Sequence, residues 1–348
     1  SFSDLDLIYK FLAYMLFLEL SCLYLLMVYL SAVKDYKKIS LSFFSGMMLT
    51  IFLIIILRPV FEQATVAILL SVNLGFLLNL IIMLHVITRH FKSISKRSFC
   101  FFRYINKMPL LFLTNIFYTF GLFSHNILFW LLSDLSVQLE DTYLFAPAYD
   151  NATFYAVLTI IPSTVLFVIK VETSFYEKYR EFCSIIVNGG NLKTIDLLKE
   201  NMVTTLQKEL SSLFEIQFLV TLVMIILGAG VILPAMGADS LLTGIYATLS
   251  IGYFLTQMLF IIVTMLLYFD DQEDACKATG LFMASTILFT LITLPFGHAV
   301  YGLGFCLGAT ISLVYGVLRL NRLLDKVDYR LFSKPPYMSQ DEIVDKPG

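Results

Sequence analysis

Charge is scarce in this chain, and so are the short motifs that mark most enzymes. Only 14% of its 348 residues are Asp, Glu, Lys or Arg, against about a quarter in an ordinary soluble domain. Its five cysteines (Cys22, Cys100, Cys183, Cys276, Cys306) form no CxxC pair, which argues against a disulfide framework or a zinc ribbon. There is no phosphate-binding GxxxxGK[ST] loop, no GxSxG elbow, no HExxH and no cluster of His, Cys and acids, so no catalytic residue, metal ligand or cofactor is assigned and the chain does not read as an enzyme. A net charge of −2 argues against a nucleic-acid partner.

Apolar residues fill the space that charge leaves. They make up 58% of the chain, Phe alone numbering 32, and the mean hydropathy is +0.82. A soluble fold of this length could not hide so much apolar surface, whereas a bilayer supplies the missing environment. Nine stretches are long and apolar enough to cross it: 11–33, 41–57, 64–88, 108–132, 152–169, 216–238, 240–269, 278–294 and 299–318. The expected fold is all-α and polytopic, with nine transmembrane helices.

Alternating the loops between two sides places 22 of the 24 Lys and Arg on one side, and leaves only Lys10 and Arg58 on the other. Basic loops stay cytoplasmic, so the C-terminus is expected inside and residue 1 outside. An outside start without a signal sequence leads to the expectation that an odd number of helices precedes it. Four segments follow: three spans in 1–88, a basic linker at 89–107, six spans in 108–330, and a cytoplasmic tail at 331–348. The linker carries six basic residues and no acid, interleaved with Phe, as suits a segment on an anionic leaflet. A mixed-charge insert at 170–215 is expected to hold two helices, separated by the turn Asn188-Gly189-Gly190.

Polar residues inside spans are costly in lipid and normally face a bundle interior or an aqueous cavity. In 108–132, Asn115, Tyr118, Thr119, His125 and Asn126 fall within an arc of roughly 120° at helical spacing. In 240–269, Thr243, Tyr246, Ser250, Tyr253, Gln257 and Thr264 fall within roughly 80°. Both stripes suit a sugar path, which needs amides, hydroxyls and aromatic faces, and both equally suit hydrogen bonding in a tight core. Glu19 is the one charged residue within the spans, a candidate for ion coupling or a structural carboxyl. Glu172, Tyr176, Glu177 and Arg180 stand at the inner end of 152–169, as a gate, a docking surface or an anchor. Gly304, Gly308 and Ser312 in the last span have the spacing of a close helix contact.

The run Val171-Glu172-Thr173-Ser174-Phe175-Tyr176-Glu177-Lys178-Tyr179-Arg180 resembles a signature of the PelG family, the inner-membrane transporter of the Pel exopolysaccharide system. Asn188-Gly189-Gly190-Asn191-Leu192, Leu267-Tyr268-Phe269-Asp270-Asp271 and Tyr301-Gly302-Leu303-Gly304-Phe305 are also similar. The resemblance covers residues 100–335, and the first three spans by pattern. It implies the multidrug/oligosaccharidyl-lipid/polysaccharide flippase superfamily, whose two six-helix lobes enclose a cavity. The first lobe would be partial here, and 108–132 would open the second.

The resemblance further implies export of a hexosamine-rich polymer for a biofilm matrix across the bacterial inner membrane. The implied partners are a cytoplasmic glycosyltransferase and a membrane receptor for cyclic di-GMP. Two other readings stay open: an ion-coupled small-molecule exporter of the same fold, with Glu19 and His125 as coupling groups, and a non-transporting scaffold of a polysaccharide synthase complex.

Overall fold

The structure is a computed structural model that describes residues 7–32, 36–61, 63–90, 107–139, 143–170, 175–187 and 191–327. Most of the linker 89–107, the turn 188–190, Glu172 and the tail 331–348 lie outside the described residues. The described chain is almost entirely helical and forms two compact units, Ser1–Phe101 and Phe102–Gly348.

The first unit holds α1 (Leu7–Ala32), α2 (Tyr36–Leu57) and α3 (Ala64–His90). Helix α3 packs against both of the others. Gly46 and Gly75 let α2 and α3 touch: a Cβ at Gly46 would lie 2.7 Å from the Gly75 carbonyl oxygen. Beside that contact, Ser42 donates to the backbone carbonyl of Asn79 at 3.0 Å and also to its side-chain oxygen. Small and hydroxyl residues at such crossings replace the hydrophobic drive that lipid removes.

The second unit opens with α4 (Pro109–Leu132), begun by a proline in its first turn. A short hairpin follows, β1 (Val137–Leu139) against β2 (Tyr143–Phe145), antiparallel with Gln138 opposite Leu144. The expected span 152–169 is broken. It consists of α5 (Pro147–Leu158) and α6 (Ile161–Ile169), with Pro162 in the first turn of α6. Proline lacks the N–H that would continue the ladder. Helix α7 (Tyr176–Val187) and then α8 (Leu192–Leu227) follow.

The second insert helix and the span at 216 are one continuous rod, not two elements. Its 36 residues are about 54 Å long, well beyond the roughly 30 Å of hydrocarbon. A π-helical turn at Gly228–Ile232 precedes Pro234. Gly237, at φ +84°, then ends the rod, with Ala238 N–H bonding the Leu233 carbonyl at 2.9 Å and Gly237 N–H that of Pro234 at 3.0 Å. This is the closure a left-handed residue permits.

Asp239 caps α9 (Ser240–Tyr268) by accepting from Leu242 N–H at 2.9 Å. The same closure recurs at Asp270, φ 54°, where Asp271 N–H reaches the Leu266 carbonyl at 2.8 Å. Asp271 then caps α10 (Gln272–Thr293), and Gly302 leads into α11 (Leu303–Asp325). These short turns hold α8, α9 and α10 as consecutive neighbours.

Helix α9 is the hub. It packs against α5, α8, α10 and α11, while α10 also packs against α4 and α11. Its close contacts use glycine against aromatic rings: Gly252 lies under Phe305, where a Cβ would approach to 2.5 Å. Among the described residues, seven helices are long and apolar enough to cross a membrane: Leu7–Leu30, Lys37–Leu57, Ala64–His90, Lys193–Ala235, Ser240–Tyr268, Gln272–Phe296 and His298–Asp325. The expected count of nine is not confirmed among the described residues. Helix α4 has the length but is not among these seven, and 152–169 is split into two short pieces.

Gly304 and Gly308 carry the α10–α11 contact. Added Cβ atoms would lie 2.5 Å from Thr290 Cα and 2.7 Å from Thr286 Cα respectively, and backbone cannot step aside as a side chain can. Gly308→Ala is therefore expected to lower stability by about 1–3 kcal/mol, measured as a drop in thermal unfolding temperature in detergent. Ala at Gly244, where nothing lies within 4 Å, serves as the neutral comparison.

Candidate functional site

The stripe on α4 divides into two halves with different surroundings. Toward the C-terminal end of the helix it is covered. His125 is fully buried, and its Nδ1 lies 2.8 Å from the Tyr149 hydroxyl. The ring stacks obliquely on Phe305 at 4.2 Å and meets Tyr253 edge-on at 6.3 Å. One turn further on, Phe129 stacks on Tyr149 at 3.6 Å.

Beside this aromatic core lies a carboxylate with several donors. Asp150 accepts from Trp130 Nε1 at 2.9 Å, Asn126 Nδ2 at 3.0 Å and Ala146 N–H at 3.0 Å. Asn126 also donates to Thr153 at 3.3 Å. Asp150 sits in the first turn of α5, where the helix dipole favours negative charge. A carboxylate taken out of water needs donors of this kind, and charged acceptors make the stronger bonds. The sequence reading placed His125 and Asn126 on the stripe but missed Trp130 on the same helix, and Tyr149 and Asp150, which belong to a different element.

The N-terminal half of the stripe is open. Asn115 and Thr119 are exposed, and Asn115 donates to its own helix, to the Leu111 carbonyl at 3.1 Å. They begin about 9 and 15 Å along the helix from Pro109. Phe112 and Phe123 are exposed on the same side, at 45% and 53%, and the four share an arc of roughly 80°. Tyr118 turns inward, half-buried between Phe260 and Phe282. The two phenylalanines had passed as bulk apolar residues, although their i, i+3 and i+4 spacing to Asn115 and Thr119 marks the shared face.

The α9 stripe lies inside the unit. Tyr246, Ser250, Tyr253 and Gln257 are all buried. Tyr246 donates to the Met224 carbonyl at 2.8 Å, one turn before the π-helical segment, with Gly228 against its ring. Ser250 bonds back to Tyr246 at 2.8 Å. Gln257 Nε2 is buried and makes no hydrogen bond among the described residues. Thr243 and Thr264 are half-buried at the edges.

The break between α5 and α6 is mended by Gln217 of α8, fully buried, whose Nε2 donates to the Thr159 carbonyl at 3.1 Å and to Thr221 at 2.9 Å. A third polar cluster joins two loops. Asp134, just past α4, accepts from the Tyr301 hydroxyl and lies 2.7 Å from His298 Nε2. The Tyr301 bond holds its carboxyl below the ordinary 3.8, and His298 adds to this.

The sequence model of the PelG family, described as "Putative exopolysaccharide Exporter (EPS-E)", matches residues 1–332. The chain belongs to the PelG family. It is thus a multi-pass membrane protein of an exopolysaccharide exporter family. No curated protein and no solved structure is a match.

The remaining candidates of this PelG-family chain are placed as follows. Glu19 lies half-buried on α1, and its Oε2 is buried with no partner among the described residues. Tyr176, Glu177 and Arg180 are exposed on α7. Lys178 and Glu181 form an i,i+3 ion pair at 3.0 Å on the same helix. Lys170 reaches α8, 3.4 Å from Glu209. Cys22, Cys183, Cys276 and Cys306 are free thiols, and among the described residues no three His, Cys, Asp or Glu could hold a metal.

Asp150→Asn is expected to cost about 1–3 kcal/mol, because donors that met a charged acceptor lose it. Trp130 is the sole tryptophan of the chain, so a changed emission spectrum reports the loss directly, alongside a lower unfolding temperature.

The Asp134 clip should be acid-sensitive. Its folded carboxyl titrates below the unfolded one, so its contribution is present above about pH 4 and is lost as pH falls through the folded value. The groups are exposed, so the effect is at most about 1 kcal/mol. The difference in unfolding temperature between the parent and Asp134→Asn should hold steady from pH 8 to about 5 and close toward pH 3.

Proposed function

We propose that this chain carries a hexosamine-rich exopolysaccharide of the Pel type across the bacterial cytoplasmic membrane for a biofilm matrix. The face formed by Phe112, Asn115, Thr119 and Phe123 would line the path, with Tyr118 behind it. The observation that carries this reading is the exposure of an amide and a hydroxyl on α4, flanked by two open aromatic rings, on a helix that this reading takes to cross the membrane. Polar side chains avoid lipid and mark aqueous paths. A neutral polymer of hydroxyls and acetamides needs such partners: hydrogen bonds that exchange easily and ring faces for sugar C–H groups.

The basic asymmetry of the loops supports a cytoplasmic C-terminus. On that orientation α7 and the protruding start of α8 face the cytoplasm. They would receive the glycosyltransferase that makes the polymer, and the cyclic di-GMP receptor would act through the same membrane complex. Glu172, Tyr176, Glu177 and Arg180 belong to this docking region. Transport would proceed by alternating exposure of the path between two lobes.

Glu19 favours a second reading, an ion-coupled small-molecule exporter, because a buried carboxylate oxygen without a partner suits a coupling site. One experiment separates the two. Replacing Asn115 and Thr119 with Leu removes exposed polar groups without opening the core, and secreted polymer should fall several-fold at unchanged protein level. Full export by that variant sinks the path. If Glu19→Gln abolishes small-molecule efflux and leaves polymer export intact, the second reading replaces the first.

A further inference from the structure

Helices α1 and α3 of the first unit run side by side in the same direction, and contacts near both ends set their register. Near their starts, Leu12 lines one apolar recess together with Val66. Toward their ends, Leu23 and Leu30 share a buried cluster with Phe76, Leu80 and Met83. Glu19 stands seven residues after Leu12, and Asn73 seven after Val66. Seven residues are close to two turns and about 10.5 Å of rise. Both residues therefore return to the face they started from and reach the same level.

The two faces meet there. Glu19 lies within about 40° of Leu12, Leu23 and Leu30, in the middle of the buried stripe of α1. Asn73 lies within about 60° of Val66, Phe76 and Leu80, on the side of α3 that meets α1. Gly75 and Asn79, which make the contact with α2, are on the other side.

Each of the two residues holds a buried acceptor oxygen with no donor among the described residues, Glu19 Oε2 and Asn73 Oδ1. Asn73 is only 6% exposed, and its Nδ2 donates to the Leu69 carbonyl at 2.7 Å, so the oxygen is the atom left over. Two acceptors cannot bond one another, but one hydrogen between them satisfies both. The surroundings supply no other donor. No Lys, Arg or His lies within two turns of either residue on α1 or α3, nor within two turns of the level of Gly46 on α2. The hydroxyls of Ser21 and Ser71 bond back to their own helices. Tyr14, Cys22 and Tyr24 of α1 are exposed.

We propose that Glu19 and Asn73 form a proton-binding site, in which the neutral carboxyl of Glu19 donates its O–H to Asn73 Oδ1 and ties α1 to α3. When the site empties, the Glu19 O–H bond breaks, its electron pair stays on the carboxylate and the proton passes to water. The helix contact then sets an anion against an amide oxygen. A covered carboxylate needs a cation or several donors. Asp150 has such donors, and Glu19 has none among the described residues. The assignment requires neither transport reading above, since the packing of two helices holds the proton.

Infrared difference spectroscopy of the full chain in lipid nanodiscs, parent minus Glu19→Gln, tests it. Near neutral pH the parent should show the carbonyl band of one protonated carboxyl, shifted by deuterium exchange, which the variant lacks. Asn73→Leu removes the acceptor and should move that band to higher frequency or abolish it. Raising the pH until the band disappears should lower the unfolding temperature of the parent by several degrees. Glu19→Gln keeps a donor facing Asn73 and should not respond. A parent without the band near neutral pH overturns the proposal, and so does a band that Asn73→Leu leaves unmoved. An equal pH response in parent and Glu19→Gln overturns it as well. So does stabilisation of the parent by sodium ions that Glu19→Gln lacks, which would make the ligand a metal cation.

Discussion

Inside a bilayer no water is available to satisfy a backbone group, and the second unit is arranged around that constraint. Its helices are not uniform rods. One expected span is broken at Thr159–Ile160, and α8 passes through a π-helical turn before Pro234. Each irregularity has a buried side chain assigned to it. Gln217 donates to the carbonyl of Thr159, and Tyr246 donates to that of Met224. Both donors reach across from a neighbouring helix, so the breaks bind the bundle together as well as interrupting its parts.

The same economy governs the contacts between helices. Lipid is as apolar as leucine, so burial alone does not drive one helix against another there. Close approach and hydrogen bonds do. Gly304 and Gly308 bring α11 onto the backbone of α10, Ser312 donates to the Ala278 carbonyl, and Ser285 donates to that of Gly308 at 3.2 Å. Around α9 the small residues are paired with rings, as Gly252 is with Phe305 and Gly228 with Tyr246. A ring over a glycine gives broad dispersion contact without forcing the helices apart.

Hydropathy made the helical class and most spans legible, because each depends on residue type counted over a long window. The close-contact glycines of the last span were also legible from their spacing. Helix continuity was not. The charged 192–213 stretch and the apolar 216–238 stretch looked like two elements, yet the helix hydrogen bonds run unbroken from Leu192 to Leu227. A helix leaving a membrane changes composition without changing backbone. The direction of a polar face was equally hidden. Helical spacing grouped Asn115, Thr119, His125 and Asn126, but the N-terminal turn of α5 covers only the last two. That cover comes from Tyr149, Asp150 and Thr153, more than 20 residues away.

Polar groups in this unit therefore serve two physical ends, and burial separates them. Where a hydroxyl, amide or carboxylate is covered, its bonds have fixed partners: Asp150 meets Trp130 and Asn126, and Gln217 meets Thr159. Such groups cannot be lent to a passing molecule without the cost of an unpaired buried atom. Asn115 is different. It is exposed, and its amide bonds only to its own helix backbone at 3.1 Å, which leaves its side-chain oxygen and one N–H for another partner. In hydrocarbon that would be a standing penalty. Beside a hydrated cavity it is none, and the rings of Phe112 and Phe123 then become stacking surfaces in place of lipid contacts. The reading of this face as a path rests on that difference in cost, and removing the two polar groups by leucine is the change that reverses it.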